Sequence, residues 1–196
     1  MNPTPVVLYG EHVRIEPLDP RHAPDLLEAA NDDDIWRFMP VRRPADLATM
    51  TDLIERAWKA AAVGDELPFA IIDDKTDRAV GSTRFLEVRR IDRALEIGWT
   101  WLGASAQRTR INTETKLLLL RHLFEELGAM RVQLKTDGRN LRSQQAIERL
   151  GAVKEGVLRR HRLTWDGIYR DTVYYSIIEP EWPAVKERLQ GLLSRT

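Results

Sequence analysis

The chain has 196 residues with 30 basic and 30 acidic side chains, four histidines, no cysteine and 43% hydrophobic positions, which suits one well-buried domain over 1–196. Without cysteine there are no disulfides, thiolate nucleophiles, zinc-thiolate sites or iron-sulfur clusters, and zero net charge argues against wholesale DNA or RNA binding. Met1 to Gly10 shows neither a basic start nor a long apolar run, so a cytoplasmic protein with no membrane partner is expected.

His12 to Leu18 alternates polar and apolar residues up to Pro17, the period of a half-buried strand. Helical spacing follows over Pro24 to Asn31 and Asp46 to Val63. Pro68 to Ile72 and Ala79 to Leu86, separated by a polar turn, predict an antiparallel hairpin, with Ala94 to Leu102 as a third strand. In that third strand Leu95, Ile97, Trp99 and Trp101 should share one face, and Glu96, Gly98 and Thr100 the other. Asn112 then caps a helix with an apolar stripe through Leu117, Leu120, Phe124 and Leu127, ending at Gly128. Arg131 to Lys135 predicts a short strand, and Asn140 starts a helix that stops at Gly151. A hairpin over Val157 to Leu163 and Asp171 to Ile178, then a helix from Trp182, complete a mixed α/β chain.

Several chemistries find no motif: no phosphate loop ending in Gly-Lys-Ser/Thr, no dinucleotide fingerprint, no zinc-protease helix and no Gly-x-Ser-x-Gly elbow. His12, His22, His122 and His161 lack a paired spacing, so no metal is expected. The segment Gln107 to Glu114 leaves a strand and enters a helix. Its unpaired N–H groups, with Arg108 and Arg110, can hold a pyrophosphate; a solvated basic loop reads equally well. At the next helix start Asn140 and Ser143 share a side, flanked by Arg139 and Arg142.

Leu95-Glu96-Ile97-Gly98-Trp99, the two helix starts and, above all, Asn140-x-x-Ser143 followed by Ala146-Ile147-Glu148-Arg149-Leu150-Gly151-Ala152 and Glu155-Gly156 resemble the GNAT acetyltransferases, in particular the RimJ/RimL branch. The resemblance, from about Leu8 to Trp182, implies a seven-stranded, mostly antiparallel sheet flanked by helices. Its two central parallel strands, Leu95 to Leu102 and Arg131 to Thr136, would splay to admit acetyl-CoA. It also implies transfer of an acetyl group to a primary amine on a protein N terminus or small molecule, and it suggests a homodimer. In that scheme Trp101, Leu102 and Gly103 contact the pantetheine arm and thioester through their main chain. The pyrophosphate lies on Arg108, Thr109, Arg110, Ile111, Asn112 and Thr113, with Arg142 beside it; Asn140 binds the arm, and Ser143 reaches the sulfur.

Two departures stand out. Arg110 and Asn112 replace the family's two small phosphate-loop residues, and Arg162 stands where that branch places a glutamate base. Glu96 is therefore the expected base, ahead of Asp171 and Glu87. Trp36 and Phe38 are candidate walls of the acceptor groove. A catalytically silent acyl-CoA-binding module is the competing expectation, and an RNA-associated protein built on Arg159-Arg160-His161-Arg162 a remote third.

Overall fold

Residues 1–64 and 66–195 are described in a computed structural model; position 196, the expected domain limit, lies outside them. Eight strands form one sheet in the order β1-β2-β3-β4-β5-β6-β8-β7. They are β1 (Leu8–Tyr9), β2 (Val13–Pro17), β3 (Glu66–Asp73), β4 (Arg78–Arg89), β5 (Ala94–Leu102), β6 (Arg131–Asp137), β7 (Val153–Leu163) and β8 (Tyr169–Ile178). Among the described residues only β5 and β6 run parallel. The strand beyond the expected seven is β1, two residues long and too short to display a period.

One face of the sheet packs on α4 (Arg110–Arg121), α5 (Leu141–Leu150) and α6 (Trp182–Ser194) through Leu95, Leu119, Leu120, Val132 and Tyr175. The other packs on α1 (Ala23–Ala29), α2 (Asp33–Trp36) and α3 (Leu47–Ala62) through Trp36, Met50, Ile54 and Ile72. No helix among the described residues is long and apolar enough to cross a membrane.

Local signals account for several helix ends. Asp46 accepts from Thr49 N at 2.8 Å while Thr49 Oγ1 accepts from Asp46 N at 3.1 Å, the reciprocal cap that starts α3. Asn140 Oδ1 accepts from Ser143 N at 3.0 Å, and Gly151 ends α5 at φ +102°. Helix α4, however, begins two residues before the expected Asn112 cap, because Thr109 Oγ1 accepts from Ile111 N at 3.2 Å. It also passes into a π-helical turn over His122–Glu126 before Gly128 at φ +62°.

The expected sidedness of β5 fails at Trp99. Ser82 pairs with Trp101 but Arg84 with Gly98, so β5 holds one extra residue, and Trp99 sits at φ +51°. Such a bulge reverses the alternation. Leu95 and Ile97 consequently enter one core while Trp101 enters the other, its ring 5.2 Å from Trp36.

Buried Glu114 ties α4 to the start of β2, accepting from the amides of Glu11 (2.8 Å), His12 (2.7 Å) and Val13 (3.0 Å). Glu114→Ala strands three donors, and stability should fall by about 3 kcal/mol, read as a lower urea midpoint.

Candidate active site

Register between β5 and β6 stops at the pair Glu96 and Gln133, although β5 continues to Leu102 and β6 to Asp137. A cavity of about 880 Å³ occupies the resulting gap. The starts of α4 and α5 form one wall. Glu96, Lys135 and the β7–β8 hairpin form the other.

On the helix side, Arg108 adopts φ +59°, a left-handed conformation that a glycine usually supplies, and it turns the chain into α4. Thr109 occupies the amide of Ile111, leaving those of Arg110 and Asn112 without an intrahelical partner. The Arg110 guanidinium reaches away to His12, Nη1 to Nε2 3.1 Å, so the side chain in place of the family's small residue does not line the cavity. Ile111 points into the core, whereas Arg108, Thr109, Asn112 and Thr113 line the wall. Beside them, at the start of α5, stand Asn140, Arg142 and Ser143. Gln107 joins this wall to the end of β5, donating to Leu102 O at 2.9 Å and accepting from Arg142 Nη1 at 3.2 Å.

The end of β5 corrects one expectation. Gly103 N donates to Val80 O at 2.8 Å, and a Cβ at Gly103 would meet Ala29 O at 2.9 Å, so its amide is committed to β4 and the residue is outside the cavity wall. Amides alternate sides along a strand, so Leu102 directs its own toward the gap. Trp101 and Leu102 both line the cavity.

On the opposite wall Glu96 is 2% exposed, with Lys135 Nζ at 2.6 Å and Gln133 Nε2 at 3.3 Å. Burial pushes its carboxyl above the usual carboxylate range, against the pull of Lys135. Lys135 also holds Glu87 at 2.7 Å, and the two carboxylates outweigh the burial that would discharge it. Gly98 leaves room for this side chain, since a Cβ there would displace Glu96 Oε1 and Leu86 Cδ1.

Other candidates part company. Trp36 is 2% exposed, donates from Nε1 to Ala30 O at 3.0 Å and is absent from the cavity wall, so its place is the core. Phe38 does line the cavity, with the Arg139 guanidinium 5.7 Å from its ring. Asp171 braces the backbone of Arg160 at 2.7 Å and is also outside the wall. The Arg42 guanidinium lies 5.1 Å from the Trp165 ring, joining the loop after α2 to the β7–β8 hairpin.

Lys116 was not among the sequence candidates. It lines the cavity fully buried, with Nζ donating to Thr100 Oγ1 at 2.8 Å, and burial lowers its pKa to about 7. The available signal was spacing: Thr109, Asn112, Thr113 and Lys116 recur three or four apart, a polar stripe on one side of a helix.

A family model described as "Acetyltransferase (GNAT) domain" matches residues 12–153. The chain is 27% identical over 182 residues to a Bacillus subtilis protein that carries the name ribosomal N-acetyltransferase YdaF, covering 90% of this chain and 97% of that one. Among solved structures, an acetyltransferase from T. thermophilus superposes at TM-score 0.88 with 39% identity, over 98% of this chain and 100% of its own. A GCN5-related N-acetyltransferase from Brucella melitensis reaches TM-score 0.93 at 28% identity, over 98% and 87%. Mycobacterium smegmatis RimJ in complex with CoA-disulfide shares the fold, with TM-score 0.83 at 23% identity, over 98% and 97%.

Proposed function

Because the chain belongs to the GNAT acetyltransferase family, we propose that it moves an acetyl group from acetyl-CoA to a primary amine, on a protein N terminus or a small molecule, by direct attack in a ternary complex. The observation that carries this reading is the parting of β5 and β6 beyond Glu96 and Gln133. It sets unpaired helix-start amides on one wall of a single cavity and a buried carboxylate on the other.

The residues present suit the donor. Helix-start amides and the arginines Arg108 and Arg142 complement a pyrophosphate, and Arg110, turned to His12, leaves the backbone of the loop approachable. Asn140 uses Oδ1 for its cap, so its amide nitrogen is the group available to the pantetheine arm. The Ser143 hydroxyl can donate to the departing sulfur, and Leu102 N–H can polarise the thioester carbonyl. Glu96 takes the proton from the amine, directly or through water. The name of the B. subtilis relative supports a RimJ/RimL-type acceptor, a protein N terminus.

Calorimetric titration with acetyl-CoA, against CoA lacking the 3′-phosphate, followed by thiol release with a panel of amines, tests the proposal. Tight binding with no turnover on any amine would favour the silent module; absence of binding would overturn both. Ser143→Ala should lower kcat about tenfold with an unchanged Kd, because a thiolate of pKa near 8.5 leaves readily unaided. Asn140→Asp retains the cap oxygen but not the amide donor, and should weaken acetyl-CoA binding about tenfold with little loss of stability. Normal kinetics and affinity in both variants would displace the thioester from this wall.

A further inference from the structure

In the β7–β8 hairpin Arg162 and Arg170 are direct cross-strand partners, and both line the cavity on its acceptor side. Like charges in that position repel. Neither makes an ion pair among the described residues. The carboxylates whose fields reach Arg170 are Asp137 and Glu96. Asp137 is already held by Arg139, through Nε at 2.9 Å and Nη2 at 2.7 Å, and Glu96 by Lys135 at 2.6 Å. Glu87, the carboxylate near Arg162, is held by Lys135 as well.

The arrangement is built. Arg170 is half-buried, and its Nε donates to Thr172 Oγ1 at 3.1 Å, which fixes the plane of the guanidinium. Burial and Arg162 both act to lower its pKa, the cost of holding it there without a counterion. Register shifts between Leu158 and Arg162, where Arg160 takes φ +49° and Asp171 accepts from its amide at 2.7 Å; bulges of this kind re-aim side chains.

We propose that Arg162 and Arg170 together bind a carboxylate carried by the acceptor within a residue or so of its reactive amine, making the enzyme selective for acidic amines such as a peptide whose first or second residue is Asp or Glu. Guanidinium donors suit the two oxygens of a carboxylate, and an anion between the pair removes the repulsion that it carries alone. Glu96 lines the same side of the cavity as Arg162 and Arg170, and this shared wall sets a short reach from anion to amine. This rests on the acetyl-transfer reading above and deepens it.

The test compares peptides that differ only in Glu against Gln at position two, with free glutamate and its amide as a second arm to separate a side-chain from a free α-carboxylate source. Wild-type kcat/KM should favour the acidic member by about 10–100-fold, mostly through KM, with the preference shrinking as salt rises. In Arg170→Gln, and separately in the more exposed Arg162→Gln, the ratio should collapse toward one; Arg170→Glu should invert it toward a Lys-bearing peptide. Calorimetric binding of the same peptide pair in the presence of CoA makes the comparison without turnover. Discrimination in binding that both arginine variants lose, with no acetylation, would uphold the anion site and overturn the transfer reading. Equal treatment of acidic and amide peptides by wild type, or a preference surviving in both variants, would overturn the anion site.

Discussion

Glu96→Gln should lower kcat by about 10²–10⁴-fold at neutral pH, with acetyl-CoA affinity preserved. An α-amine of pKa near 8, and still more a lysine amine near 10.4, is mostly protonated at pH 7 and cannot attack a thioester until the proton leaves. Glu96 and Asp137 are both buried carboxylates of the cavity, but Asp137 is held by Arg139, whereas the raised pKa of Glu96 makes it a stronger base than an exposed carboxylate. Lys135 at 2.6 Å favours the ionised form against the burial that opposes it, and neutral Gln133 steadies the group, so the carboxylate is oriented. Glutamine matches the shape, keeps an oxygen for Lys135 and respects the space left by Gly98, so the fold survives. The pH dependence separates chemistry from packing. In wild type the acidic limb of kcat/KM should fall above the ordinary carboxylate range; in the variant that limb should vanish and only the acceptor's own titration remain. A wild-type profile in the variant would remove Glu96 from proton transfer and turn attention to Glu87, which also lines the cavity.

Features carried by a few neighbouring residues were readable from the chain alone. The start of α5 needs only Asn140 to cap Ser143, and its end only Gly151 in a left-handed turn. The opening between β5 and β6 was implied by family resemblance, and the register bears it out. What escaped depends on partners distant in sequence. Whether Trp101 joins Leu95 or Trp36 is decided by how β5 registers against β4, and the extra residue at Trp99 has no local signature because Trp is not a residue that favours positive φ. Thr109 and Asn112 are both good caps, and the turn at Arg108 selected the first. Gly103 looked like a backbone donor until its amide was found bonded to Val80. Trp36 and Phe38 are two residues apart, yet one fills the core and the other lines the cavity, a difference that rests on the packing of Trp101.

Lys116→Met should stabilise the protein by about 3 kcal/mol at pH 7, raising Tm by about 6–12 °C. The native lysine titrates at about 7 because burial opposes its charge, and no carboxylate offsets that. In the unfolded chain a lysine titrates near 10.4. Between these values the unfolded state binds more protons than the folded one, so wild-type stability should rise with pH from about 7 to about 10; below 7 both states are charged and the penalty is complete. Methionine keeps the unbranched stem and removes the ammonium, at the loss of one hydrogen bond to Thr100, which retains Thr83 Oγ1 at 2.8 Å. The difference between the two melting curves should therefore be greatest at and below pH 7 and close by pH 10. Parallel curves across that range would show that Lys116 is hydrated in solution. A chain that retains so costly a cation in its cavity wall is giving up stability at the place where stabilisation and activity conflict. The more stable variant should accordingly be the poorer enzyme, with a lower kcat/KM for acetyl transfer, and a variant both more stable and fully active would assign Lys116 to neither binding nor chemistry.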